Sequence, residues 1–169
     1  MLVLTPAELG YVSFDKPLPC SVFLAGPCPR TTDQHDWRDD AVELFRKLEF
    51  SGTLIVPTDL EGYSVMRNTR WECSAMWAAT VLMFWIPRTP ESPGLCTNVE
   101  FGVCAHDRKR RARMCVGWPE ENEKDNEYLR AWLKLTGRDF DVCPSLESLV
   151  KATIELEESL RDEKAGKRA

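Results

Sequence analysis

The sequence holds no CxxC pair among its seven cysteines, has only two histidines, and contains no apolar run near the roughly 20 residues of a membrane-spanning helix. Cys20, Cys28, Cys73, Cys96, Cys104, Cys115 and Cys143 are odd in number, and most fall in apolar runs. That pattern suits reduced thiols in a cytosolic core better than a zinc site or a disulfide framework. The opening stretch MLVLTPAELGYVSFDKPLP lacks a basic n-region and a long apolar segment, so a cytoplasmic protein without a membrane anchor is expected. Neither sign of charge dominates, with 22 Lys and Arg against 27 Asp and Glu. A net charge of −5 argues against a general binder of nucleic acid or anionic membrane and leaves small-molecule partners. The basic run Arg108 to Arg113 has no interleaved aromatics and reads as a solvated turn.

What is present is the composition of one globular domain. The 169 residues are 43% hydrophobic and 29% charged, and a chain of this size buries about 70% of its unfolded surface. Residues 1–19 read as an extended arm or edge strand, 20–163 as the domain, and 164–169 as a frayed tail. Apolar runs ending at Gly26, Pro57, Pro87 and Pro119 predict four buried strands, with Phe140 to Cys143 as a candidate fifth. Between them lie helical patterns: TTDQHDWRDDAVELFRKLEF, RWECSAMWAAT and NVEFGVCAH. The alternation predicts a three-layer, flavodoxin-like α/β fold, a parallel sheet of four or five strands with helices on both faces. In such sheets ligands bind beyond the carboxyl ends of the strands, where strand order reverses. Gly26-Pro27, the polar loop after Pro57 and the loop from Pro87 to Asn98 fall on that edge.

Glu100 is the odd residue there, a carboxylate between Val99 and Phe101. Two readings follow from its spacing. It is the third residue after Thr97 and could close a capping box in a helix's first turn. Alternatively, a carboxylate held ionised and partly dehydrated in a crevice can attack an anomeric carbon.

VFLAGP, WRDDAVELF, LIVP, RWE, VLMFWIP and TNVEFG resemble, in order and spacing, the nucleoside 2-deoxyribosyltransferase-like superfamily over approximately residues 20 to 119. The resemblance implies that Glu100 is the nucleophile that attacks C1′ of the sugar and releases the base. It implies that Glu72 helps bind the sugar or base, and that Gly26 and Pro27 let the ligand approach the backbone. A nucleophilic carboxylate implies a covalent glycosyl-enzyme and retained configuration. Many relatives carry an acid shortly before the nucleophile, where this chain has Ser92, Pro93 and Gly94, with Glu91 the nearest carboxylate. The familiar Ala-Asp before the third strand is Ala79-Thr80. The implied activity is cleavage of the N-glycosidic bond of a nucleoside or nucleotide, with sugar transfer to another base or to water. The alternatives are an NAD-cleaving glycohydrolase, a non-catalytic nucleotide-binding module, and an interaction domain whose exposed tryptophans mark a partner surface. Neither cofactor nor metal is implied, and the family's habit suggests a homo-oligomer.

Other residues carry two readings each. Arg38 and Asn98 fall on the ligand edge; Arg38 could hold a phosphate or simply pair with a surface acid. Trp71 and Trp85 could stack on a base or fill the core. His35 could assist proton transfer or be solvated, and His106 suits a helix end. Cys96 has no histidine nearby in sequence and reads as a loop thiol.

Overall fold

Five short apolar segments pair into one parallel sheet in the computed structural model, which describes residues 1–6, 14–29, 33–58, 64–137 and 142–166. They are Leu2–Leu4 (β1), Ser21–Ala25 (β2), Thr53–Ile55 (β3), Val81–Trp85 (β4) and Met114–Gly117 (β5), in the spatial order β1-β3-β2-β4-β5. All pairings are parallel, with Val22 beside both Leu54 and Val81. The helices between and after them are Trp37–Lys47 (α1), Val65–Ala78 (α2), Leu95–His106 (α3), Arg108–Arg111 (α4), Glu127–Leu135 (α5) and Leu146–Gly166 (α6), with a 3-10 turn at Glu120–Asn122.

The strands contain no polar alternation because both of their faces are covered. Phe23, Ala25, Leu82, Phe84 and Ile86 point to one side, where they pack with Trp71, Ala75 and Met76 of α2, Phe101, Cys104 and Ala105 of α3, and Leu129 and Leu133 of α5. Val22, Leu24, Val81, Met83 and Trp85 point to the other, against Trp37, Ala41 and Phe45 of α1 and Leu149 and Val150 of α6. Each fully buried Phe or Leu contributes about 1.5–3 kcal/mol relative to an exposed one. The three-layer, flavodoxin-like α/β architecture is therefore the one that the uniformly apolar strands predict.

The fifth strand is the edge strand that residues 1–19 could supply, not the candidate segment Phe140 to Cys143. It is β1, at the chain's beginning, whose residues Leu2 to Leu4 pair with Thr53 to Ile55. Cys143 makes only a single parallel bridge to Gly117, while Phe140 and Asp141 lie outside the described residues. Helix α6 continues to Gly166, beyond the expected boundary at 163. The basic run is a short helix, capped by the Asp107 side chain on the Arg110 amide. Arg110 itself is buried, its guanidinium 3.7 Å from the centre of the Trp77 ring. Among the described residues, no helix is long and apolar enough to cross a membrane.

From β2 the chain crosses to β3 on one side and then to β4 on the other, so the strand order reverses at β2. The crevice predicted for such a reversal lies at the carboxyl ends of β2, β3 and β4.

Candidate active site

The turn that leaves β2 is shaped by three side chains and a missing one. Trp37 Nε1 donates to the Pro27 carbonyl at 3.0 Å. Arg38, 1% exposed, donates to the carbonyls of Leu24 (3.2 Å), Pro27 (3.3 Å) and Gly26 (2.7 Å) and to the Asp36 carboxylate at 3.2 Å. Asp36 also caps α1 by accepting from the Arg38 amide. A Cβ on Gly26 would lie 2.2 Å from the Trp85 carbonyl oxygen and 2.7 Å from the Trp37 ring, so no side chain fits at this position. Arg38 is accordingly neither a solvated surface partner nor a loose arm. It fastens the strand end while one side of it reaches the crevice.

The opposite wall depends on Gly94 and Arg88. Gly94 adopts the left-handed conformation (φ 69°) at the N-cap of α3, a region open to glycine at no steric cost. Arg88 sits behind it, donating to the Asn126 side chain (2.6 Å), the Asn98 side chain (2.7 Å) and the Pro93 carbonyl. Asn126, wholly buried, returns a bond to Ile86 O. The loop is then tied across the crevice by the Ser92 hydroxyl, which donates to Cys28 O at 2.8 Å.

These constraints leave a cleft of about 400 Å³, the size of a small-ligand site. Gly26, Pro27 and Arg38 form one side, Asn68, Thr69 and Glu72 of α2 another, and Ser92, Gly94, Cys96, Thr97 and Glu100 the third. Glu100 and Glu72 therefore face one space from neighbouring helices. Burial raises the Glu100 pKa to about 7, the Glu72 carboxylate adds to the rise, and the Arg38 guanidinium opposes it.

Two helix starts differ from the sequence expectation. Helix α3 begins at Leu95, so Glu100 is its sixth residue and Thr97 is a buried residue within it. The capping-box reading is excluded, because Gly94, not Thr97, occupies the cap. Pro93 and the left-handed Gly94 start the helix three residues earlier than the polar text suggested. Helix α2 begins at Val65 after Ser64, which puts Glu72 in mid-helix rather than at a helix head. The polar residues Asn68 and Thr69 that resembled loop line the cleft instead.

Of the remaining candidates, Gly26, Pro27 and Arg38 line the cleft, and Asn98 does not; its side-chain oxygen is taken by Arg88. Trp71 is 2% exposed in the core, edge-on to Phe14 at 5.8 Å, and Trp85 is buried on the other sheet face. Neither offers a platform in the cleft. His35 pairs with Asp40 at 2.7 Å on the surface, the Asp40 hydrogen bond raising its pKa. Glu91 is exposed and outside the cleft, whereas Ser92 is inside. Sequence reasoning missed Ser92 and Cys96 as wall residues and Arg88 as the hub; the only prior signal was their position on the ligand edge. Among the described residues, no group of three or more His, Cys, Asp or Glu is placed to hold a metal.

No curated protein matches the sequence significantly. A family model does: that of nucleoside 2-deoxyribosyltransferase-like proteins, over residues 19–118, a span that runs from just before β2 to just after β5 and contains every cleft residue named above. The chain belongs to the nucleoside 2-deoxyribosyltransferase-like family.

Proposed function

We propose that the protein cleaves the N-glycosidic bond of a nucleoside or nucleotide, with Glu100 as nucleophile. The observation that carries this reading is the placement of Glu100 and Glu72 in one cleft at the strand-order reversal, with buried Arg38 on the facing wall. In the first step a Glu100 carboxylate oxygen bonds to C1′ while the C1′–N bond breaks. The departing base nitrogen keeps the electron pair and takes up a proton. In the second step a water or a second base attacks C1′ and gives up a proton, which balances the one taken up by the departing base, the C1′–O bond to Glu100 breaks, and the carboxylate is restored. The two inversions give overall retention. Glu72 holds the sugar or base beside the reacting carbon.

The attacking form is the ionised one. A Glu100 pKa of about 7 divides this carboxyl between acid and carboxylate near neutrality, and the Arg38 cation favours the carboxylate. The resulting nucleophile is partly dehydrated and more basic than a solvated glutamate, both of which favour attack.

Purified protein incubated with nucleosides, nucleoside monophosphates and NAD, with free base followed by chromatography, tests the proposal. Release of base from one class is expected, and Glu100→Gln should reduce it by orders of magnitude while ligand still binds. A non-catalytic binding module is the second reading, favoured by the location of Glu91 outside the cleft, where Ser92 and Gly94 line it instead. Tight ligand binding with no base release from any of the three classes would select it.

A further inference from the structure

The basic run Arg108 to Arg113 has no aromatic residue of its own, and the fold brings one to it. Trp77, near the end of α2, is 61% exposed, with the Arg110 guanidinium 3.7 Å from the centre of its ring. Arg110 is only 7% exposed, and its Nε is buried without a hydrogen-bond partner. Arg113 is half-buried and donates to the Ala79 carbonyl, just before β4. Burial first, and then the Arg110 charge, lower the Arg113 pKa. Two cations are thus withdrawn from water and set against each other.

Charges in such a place require opposite charge. Among the described residues, no carboxylate forms an ion pair with Arg110 or Arg113. Asp107 is engaged by the Arg110 backbone amide as the cap of α4. The Cys104 thiol is beside Arg110, yet burial pushes its pKa up to about 11 and Arg110 only opposes that rise, so the sulfur is neutral near pH 7. The Trp77 ring attracts a cation to its face but carries no net charge. The missing anion therefore belongs at the ends of α2 and α3 remote from the cleft, beside the starts of β4 and β5.

We propose that Trp77, Arg110 and Arg113 form a second ligand site, separate from the cleft, for a free nucleotide with a terminal phosphate. A phosphate monoester carries about two negative charges at neutral pH, which matches two guanidinium groups. Each linkage of a nucleic-acid strand carries about one, and the chain's net charge of −5 repels a long polyanion. The planar fork of arginine suits phosphate oxygens. Arg110 covers one face of the Trp77 indole, and the 61% exposure of that residue leaves the other face open for a base to stack on. Arg70, two turns earlier on α2, and Arg108 are exposed as well and add positive potential around the phosphate.

Photolabelling of the full-length protein with 8-azidoadenosine 5′-monophosphate, mapped residue by residue, locates the site. Label is expected at Trp77 or within α4, blocked by adenosine 5′-monophosphate and at least tenfold less effectively by adenosine or inorganic phosphate. Arg110→Met puts an apolar chain in place of the uncompensated cation. Without ligand it should melt no lower than the wild type, and its labelling at Trp77 and α4 should fall at least tenfold. Arg113→Gln should lose the label too, whereas Gly26→Ala, which alters the cleft, should keep it. Label confined to cleft residues, label that survives in Arg110→Met, or an unliganded Arg110→Met that melts below the wild type would each overturn the proposal. So would inorganic phosphate that competes as well as the nucleotide, which removes the base from the site. A hexaadenylate strand without a terminal phosphate that competes better than the nucleotide would overturn it as well, since the occupant would then be nucleic acid. None of these readouts needs base release, so their failure is distinct from failure of the glycosidase reading.

Discussion

Arg38 donates a 2.7 Å hydrogen bond to the Gly26 carbonyl from a position 1% exposed to solvent. The same guanidinium serves Leu24 and Pro27, so one side chain sets the end of β2 and places a cation at the cleft. Lysine has no planar fork with which to reach three carbonyls. Arg38→Lys should lose about 2–4 kcal/mol in urea unfolding, because buried carbonyls are left unpaired. Arg38→Ala should cost at least as much. Wild-type stability in Arg38→Lys would show that the carbonyls find other partners.

Gly26→Ala tests the closeness of that turn to its neighbours. The added carbon would lie 2.2 Å from a backbone oxygen, that of Trp85, which cannot swing aside as a flexible side chain could. The β2 turn or the end of β4 must shift. We expect a loss of about 1–3 kcal/mol and weakened nucleotide affinity by calorimetry. Unchanged affinity and unfolding midpoint would mean that the turn relaxes freely.

The sheet was legible because its strands are uniformly apolar and end in Gly or Pro: Val22 to Ala25 and Val81 to Ile86 announce burial on both faces. The shared cleft of Glu100 and Glu72 was legible from family motifs together with the strand-end rule. Helix starts were not. Gly94 caps α3 only because its backbone takes the left-handed form, which sequence spacing does not reveal, and Thr97 offered a more conventional cap. Trp71 illustrates a second limit. An aromatic next to a site acid reads equally as platform or core, and which side of α2 faces inward is set by the packing of Trp71, Ala75 and Met76 with Phe14 and the sheet residues Phe23, Leu82 and Phe84. Leu2 to Leu4 was ambiguous between arm and edge strand, because three residues carry too little pattern to distinguish them.

Glu72 is expected to set the pH at which Glu100 ionises. Burial is the larger cause of the raised Glu100 pKa and the Glu72 charge the second. If ionised Glu100 attacks, kcat/KM should climb with pH and level off above about 7. Glu72→Gln removes a like charge, so the Glu100 pKa falls and the rising limb should move to lower pH, whatever happens to the plateau. A limb that moves upward, or a rate that declines as pH rises through 7, would contradict the nucleophile assignment.

Glu100→Gln should separate the demands of function from those of stability. A carboxyl whose pKa is raised by folding, from 4.5 to about 7, contributes stability that is fully present below its unfolded pKa. That contribution is lost as pH rises through the folded pKa, because the ionised form is then held in a site that disfavours it. Glutamine keeps the shape of the neutral form and does not titrate. The variant should therefore match the wild type near pH 4 and become more stable above pH 7, by about 1–3 kcal/mol. At roughly 2–4 °C per kcal/mol for a chain of this size, thermal scans at both pH values resolve the difference. The same variant should release base orders of magnitude more slowly. Greater stability at high pH together with lost turnover is the signature of a charge kept for its chemistry. A variant less stable than the wild type at pH 8 would mean that the ionised carboxylate is a structural partner, and the cleft would need another nucleophile.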